Sequence, residues 1–369
     1  MAKTVQHFSA ALIREMTSPP ELLVGIVTNP ESGRDIRRLL SGASVFPSSE
    51  KVSMVVRVLA ALGVFGVQGA LMMRDHSGIA AGVVRSVRAH AARNGADPWP
   101  EVHFVEHAVE HSADYTRLAV RSMLDAGVRL IVVLGGDGTH RVVASKCGDV
   151  PLVTLSTGTN NAFPECREAT TAGIAAGLCA SGRLELAKVC RRNKRLNSRI
   201  GDREEIALVD IAICTTRQVG ARALWNPDDL SDLFVTFSER DSIGLSSIPG
   251  LLRPTNRDDC QGTLVRFDQR APDYWLNAPI APGLIKRIPI GSVEPLPVGE
   301  KIAVTAESGT IALDGVREIE FARGEHPFVW LDRRGPLTVD VNKTLELAAN
   351  QGLLVSSTRN RDLQKKQNS

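Results

Sequence analysis

A chain of 369 residues is long for one compact core, so two domains are expected. With 43% hydrophobic and 23% charged residues the composition is that of a globular protein, and no apolar run approaches the roughly 20 residues that span a bilayer. A net charge of +3, two Tyr and four Trp supply neither the basic field nor the stacking platform of a nucleic-acid binder.

Residues 1–20 lack the basic-then-apolar plan of a secretory signal and read as an N-terminal extension. Leu22 to Thr28 is a continuous apolar run, as expected of a strand covered on both faces, and Asn29-Pro30-Glu31-Ser32-Gly33 breaks it as a loop. Over 50–63 the spacing of Val52, Val55, Val56 and Leu59 predicts an amphipathic helix. A strand follows at Val67 to Met73, then a helix with Ala80, Val83, Val84 and Val87 on one face. Val102 to Val105 is the next strand. The helix after it carries Tyr115, Leu118, Ala119, Ser122 and Met123 in register, with Ser112 as N-cap. Arg129 to Leu134 is an almost purely apolar run, followed by a glycine-rich loop, a helix from about Thr139, and a strand over Pro151 to Leu155. This alternation predicts an α/β domain over 21–180, with a parallel, Rossmann-like sheet and ligands at the carboxyl ends of its strands.

After about residue 185 the pattern changes. Ile206 to Ile213, Leu233 to Phe237, Gly262 to Phe267, Lys301 to Thr305, Thr310 to Leu313, Glu318 to Phe321 and Phe328 to Leu331 are short strand-like runs separated by turn residues. A β-rich, antiparallel, sandwich-like domain over 181–355 is expected, with a flexible polar tail at 356–369. The six cysteines are scattered, without a CxxC pair, which fits reduced thiols in a cytoplasmic protein.

The most informative stretch is Leu130-Ile-Val-Val-Leu-Gly-Gly-Asp-Gly-Thr139. A buried strand leads into three glycines around one acid, and a helix starts at once. Gly135, Gly136 and Gly138 let the backbone approach a phosphate, the free N–H groups of the helix face the anion, and Thr139 adds a hydroxyl donor. Asp137 would repel phosphate unless it takes a proton or a metal, so it suggests a general base or a Mg2+-positioning group. A hairpin at Asp-Gly is disfavoured because the strand before it has no polar face. One strand later, Thr157, Gly158, Thr159, Asn160 and Asn161 offer hydroxyl and carboxamide groups to ribose or phosphate oxygens at the same sheet edge.

Other signals are weaker. His103, His107 and His111 have helical metal-ligand spacing, but the first lies in a predicted strand, so no fixed metal site is expected. Arg141 either reaches a phosphate or is ion-paired. Arg34, Arg37 and Arg38 flank the first loop and are candidates for an anionic substrate. The run Arg191-Arg192-Asn193-Lys194-Arg195 reads as an exposed basic loop.

In the loop Gly135 to Thr139 the chain resembles the NAD kinase and diacylglycerol kinase superfamily, whose shared signature is GGDGT. Ser156 to Phe163 is similar to the GTxN loop of its lipid-kinase branch. The second half looks like NAD kinases: Val209-Asp210 stands where that branch has an Asn-acid pair, and Gly244 to Leu252 stands at its Ser/Gly-rich substrate segment. Asn277 to Ile288 and Leu313-Asp314-Gly315 look like later segments of the same branch. The resemblance covers roughly 100–335, and Thr28 to Arg38 is similar to a narrower group, the acetoin-catabolism protein X kinases. It implies ATP with Mg2+ as donor, Gly135, Gly136, Gly138 and Thr139 at the triphosphate, and Asp137 as the catalytic carboxylate that activates the acceptor hydroxyl or organises the Mg2+. Asn160 matches the Asn of the GTxN loop and Asp210 the acid of the strand pair; nucleotide or substrate contacts are expected at these two and at Asn29, Thr157, Gly158, Thr159, Asn161, Ser246 and Ser247. Two positions depart from the pattern: Val209 replaces the Asn of the pair, and Asn161 stands where lipid kinases carry Asp.

The expected partners are therefore a nucleotide and a small-molecule substrate, with no nucleic acid and no membrane; a homo-oligomer is compatible with this reading. The expected acceptor is NAD, phosphorylated at a ribose 2′-hydroxyl. The alternatives are another small hydroxylated metabolite linked to acetoin catabolism and, from a different class, a nucleotide sensor without turnover. A lipid kinase is less favoured, since nothing in the sequence suggests a membrane-facing amphipathic surface.

Overall fold

The computed structural model describes residues 7–8, 22–33, 46–93, 95, 97–109, 112–158, 161–217, 224 and 227–355. Arg34, Arg37, Arg38, His111, Thr159, Asn160, the expected tail 356–369 and all of the N-terminal extension except His7 and Phe8 lie outside the described residues.

The first part of the chain forms β1 (His7–Phe8), β2 (Leu23–Thr28), α1 (Ser48–Val64), β3 (Gly69–Met72), α2 (Ile79–Ala91), β4 (Glu101–Val105), α3 (Ala113–Asp125), β5 (Leu130–Gly135), α4 (Asp137–Ala144), β6 (Leu152–Ser156), α5 (Ala169–Ala180), α6 (Leu186–Val189) and β7 (Cys190–Arg192). The strands from β1 to β6 pair in parallel, in the order β1-β4-β3-β2-β5-β6. Ser112 caps α3 as expected, its Oγ accepting the N–H of Tyr115 at 3.1 Å.

The uninterrupted apolar runs of β2 and β5 follow from helices on both faces of the sheet. Val24, Ile26, Leu130, Val132 and Leu134 face one core, built with α1 and α5. Their neighbours Leu23, Val27, Ile131 and Val133 face the other, with Tyr115 and Met123 of α3. The chain runs from β2 outward to β3 and β4, then returns to place β5 on the other side of β2. The gap between the carboxyl ends of β2 and β5 is thus the switch point where open α/β sheets bind ligands.

The second part contains β8 (Arg195–Ile200), β9 (Arg203–Ala207), β10 (Asp210–Cys214), β11 (Leu230–Val235), α7 (Ser247–Leu252), β12 (Gln261–Arg266), β13 (Tyr274–Ala281), β14 (Leu284–Ile290), β15 (Ser292–Pro297), β16 (Lys301–Ala303), β17 (Gly309–Leu313), β18 (Val316–Phe321) and β19 (Phe328–Asp332). The antiparallel sheet β15-β12-β11-β10-β17-β18 shares an apolar core with the sheet β16-β19-β8-β9. Its other face is covered by the β13–β14 hairpin and Ile248 of α7. The fold is the expected one, an α/β domain followed by antiparallel sheets.

Several expectations change. β20 (Leu337–Val339) and α8 (Val341–Asn350) return to the first sheet, β20 pairing in parallel with β6 and antiparallel with β7. The stretch 181–355 therefore begins and ends in the α/β unit. The run Ile206 to Ile213 is two strands, because the N–H groups of Leu208, Val209 and Asp210 all point at the Asp314 carboxylate instead of a ladder partner. The basic run 191–195 is not an exposed loop. It is the crossing between the two parts, with Lys194 only 4% exposed and its Nζ donating to the carbonyls of Asn256 and Gln261.

All six cysteines are free; Cys166 and Cys260 are exposed. Among the described residues no helix is long and apolar enough to cross a membrane.

Candidate active site

β5 delivers Gly135 and Gly136 to the switch point, and α4 starts at Asp137. The glycines here answer to close approach. A Cβ on Gly135 would lie 2.4 Å from the Cβ of Thr139, so the turn into α4 could not close around a larger residue. A Cβ on Gly136 would lie 2.9 Å from Asn161 Oδ1, and one on Gly158 only 2.5 Å from the same atom. The Asn161 amide thus fills the space between the two glycine-bearing loops, with its Nδ2 donating to Ser156 Oγ at 2.6 Å. It works as a spacer. Gly138 has no neighbour within 4 Å of its missing Cβ and borders a cleft.

That cleft, of about 240 Å³, is bordered by Asn29 and Glu31 of the first loop, by Arg74 and Tyr115, and by Gly138, Thr139 and Arg141. Asn29 Nδ2 donates to Thr139 Oγ1 at 2.8 Å, which leaves the Thr139 proton for another acceptor. Thr157 is buried with its hydroxyl 2.7 Å from Ser32 Oγ, so it ties the second loop to the first. The first loop is shaped from beneath by Lys51 of α1. Its Nζ donates to the carbonyls of Asn29 (2.9 Å), Pro30 (3.0 Å) and Ser32 (2.9 Å), and the residue is 0% exposed. The sequence did carry a signal for this role. The buried stripe of α1 is Lys51, Met54, Val55, Val58, Leu59 and Leu62, one position round from the stripe drawn through Val52 and Val56, and it includes the lysine.

Asp137 stands on the other side of the same loop. Its carboxylate accepts the N–H groups of Ala162 (3.2 and 3.1 Å) and Phe163 (2.8 Å). It borders a narrower pocket of about 20 Å³ together with Val209, Asp210, Ser246, Ile280 and Asp314. Ser246 and Asp210 therefore border the same pocket as Asp137. Ser247 does not; its hydroxyl donates to the carbonyl of Gly244 at 2.6 Å, which seats the first turn of α7.

Asp314, one residue beyond β17, has a left-handed backbone (φ 49°) and a fully buried carboxylate that accepts from Leu208 (3.0 Å), Val209 (2.8 Å) and Asp210 (3.2 Å). Burial pushes its pKa up, while Arg141 and these N–H groups oppose the shift. Arg141 is 3% exposed and ion-paired: it contacts Glu318, its Nε lies 3.7 Å from Asp314 Oδ2, and Nη1 lies 4.0 Å from Glu205. Of its two expected roles the structure shows the ion pair. His140 Nδ1 bonds the Gly136 carbonyl at 2.8 Å and therefore carries a proton. Burial lowers the pKa of the ring to about 4, so the ring is neutral at pH 7.

Among the described residues no group of three or more His, Cys, Asp or Glu is placed to hold a metal ion. Asp137 and Asp210 nevertheless offer hard oxygen donors beside the loop, which suits a Mg2+ that arrives with a nucleotide and keeps phosphate and water ligands.

The pattern of the ATP-NAD kinase N-terminal domain matches residues 24–183. That of the acetoin catabolism protein X C-terminal domain matches residues 194–334. Acetoin catabolism protein X of Cupriavidus necator is 42% identical over 343 residues, which cover 90% of this chain and 94% of that protein. The chain therefore belongs to the acetoin catabolism protein X family, with an N-terminal domain of the ATP-NAD kinase type.

Proposed function

We propose that the protein is an ATP-dependent kinase for a small-molecule hydroxyl, with NAD as the acceptor to test first. One observation carries the reading: a single turn of chain separates two cavities, with Gly138 and Thr139 on the larger and Asp137 on the narrower. ATP binds in the larger cleft, its phosphates near Gly138, Thr139 and the start of α4. Mg2+ bound to the triphosphate would neutralise its charge, and Asp137 and Asp210 are the carboxylates that would hold it. The acceptor enters from the narrower pocket beside Asp210 and Ser246. Asp137 orients its hydroxyl and takes the proton as the oxygen bonds to the γ-phosphorus and the bond to ADP breaks. A 2′-hydroxyl of NAD placed there would give NADP.

A second reading is favoured by Val209, an apolar residue on the pocket wall where the resemblance to NAD kinases leads one to expect Asn, and by the small size of that pocket. A shorter hydroxylated metabolite then replaces NAD. The name of the Cupriavidus relative points to acetoin catabolism as the place to look. The test is incubation with ATP, Mg2+ and NAD, with NADP and ADP both measured, for wild type and Asp137→Asn. NADP formed by wild type and not by the variant supports the first reading. ADP release that depends on a short diol or ketol and not on NAD supports the second. ATP binding without transfer to any acceptor in a panel sinks the kinase and leaves a nucleotide sensor.

A further inference from the structure

Residues 162 and 163 hold the Asp137 carboxylate by their N–H groups, and their carbonyls are held in turn from the second domain. Arg257, in the turn before β12, donates from Nη2 to the Ala162 carbonyl at 2.5 Å and from Nη1 to the Phe163 carbonyl at 3.2 Å. Its guanidinium lies 3.9 Å from the centroid of Phe237 and 5.7 Å from that of Phe163, and its Nε lies 3.4 Å from Glu239 Oε1. The side chain is 10% exposed. Beneath it Phe163 and Ala162 of the α/β domain pack with Leu208, Val209 and Phe237 of the second, a small apolar cluster joining the two.

We infer that Arg257 is a positioning residue for phosphoryl transfer: it clamps the 162–163 turn across the domain interface and so sets where the Asp137 carboxylate points. The inference rests on the kinase reading for its catalytic half only. The geometry favours a two-pronged clamp over a simple ion pair. The planar fork puts two nitrogens on two successive carbonyls at once, and a guanidinium lying over the Phe237 ring is restrained in orientation before it makes either bond. Each peptide it grips is part of the turn that donates to Asp137, so slack at residue 257 passes to the carboxylate through one residue of backbone. A lysine keeps the charge but has neither the planar fork nor a guanidinium face to lie over Phe237.

The experiment uses the full chain and two readouts. Hydrogen–deuterium exchange followed by mass spectrometry on wild type, Arg257→Ala and Arg257→Lys should show faster exchange at residues 161–163 in both variants, more so in Ala, with β5 unchanged. Steady-state kinetics with the acceptor that wild type uses should show kcat reduced about 10- to 100-fold in Arg257→Ala, KM for ATP within about twofold, and partial recovery in Arg257→Lys. Unchanged exchange at 161–163 in a folded variant overturns the clamp, as does faster exchange with kcat untouched. If Arg257→Ala does not fold, Arg257→Lys decides on the same terms. A wild type that transfers phosphate to nothing overturns the kinase reading instead, and the exchange result still judges the clamp.

Discussion

Asn29 and Thr139, 110 residues apart in sequence, meet across the gap between β2 and β5, the amide Nδ2 of one donating to the hydroxyl of the other at 2.8 Å. The contact joins the two loops that border the larger cleft, and Asn29 Oδ1 also accepts the N–H of Glu31 at 2.9 Å. Asn29→Ala removes both bonds from a half-buried side chain. A loss of about 1–2 kcal/mol is expected, read as an ATP affinity weaker by roughly 5- to 30-fold in calorimetry. Wild-type affinity in that variant would separate the contact from nucleotide binding.

Lys51 presents a different test, since it donates to three backbone carbonyls of the same loop. Lys51→Met keeps much of the stem and strands those carbonyls, which should lower stability by about 2–3 kcal/mol in denaturant titration and loosen nucleotide binding with it. Wild-type stability in Lys51→Met would mean that water replaces the ammonium without loss.

His140 sets a pH dependence. Its folded pKa of about 4 lies below the ordinary 6.5, so on acidification the unfolded chain takes up a proton that the folded ring refuses. The contribution is complete above pH 6.5 and is lost as the pH falls toward 4, by about 3 kcal/mol in all. In His140→Asn, whose amide can replace Nδ1 against the Gly136 carbonyl, the slope of stability between pH 6.5 and 4.5 should flatten. Equal slopes in the two proteins would assign the effect to other groups.

Asp314 accepts three consecutive backbone N–H groups beside Arg141 from a left-handed residue. Asp314→Ala leaves those donors unmatched and takes from the Arg141 Nε the carboxylate that faces it, while Glu318 stays on the guanidinium; a cost of about 3 kcal/mol is expected. Asp314→Asn should cost less, because Asn tolerates φ near 49° and keeps one acceptor oxygen. Thermal unfolding of the pair gives the order, and a more stable Ala variant would contradict it.

What could be read from the sequence divides along physical lines. The strands of the parallel sheet were legible because both faces are covered and their residues are apolar throughout, as in β2 and β5. The GGDGT loop was legible because a strand, three glycines and a helix start coincide. The helix α5 gave no stripe to read, since almost all of Ala169–Ala180 is buried and no polar face marks its period. The Leu208-Val209 break was hidden because the acid that causes it lies more than 100 residues away in sequence. Arg257 sits in Asn256-Arg257-Asp258-Asp259, a composition that reads as an ordinary exposed turn. Contacts that depend on two distant loops meeting have no local periodicity to announce them.

The return of β20 to the first sheet means that the second domain is strung between two crossings, not hung from one. Those crossings are laced together: the N–H of Asn193 donates to the carbonyl of Pro336 and the N–H of Gly335 to that of Asn193, both at 3.1 Å, while the Asn193 amide reaches Pro336 and Thr338. A two-ply strap resists twisting and lateral sliding better than a single strand of chain would. The two passages between the domains thus act as one doubled connection, and a substitution at Asn193 would loosen both at once.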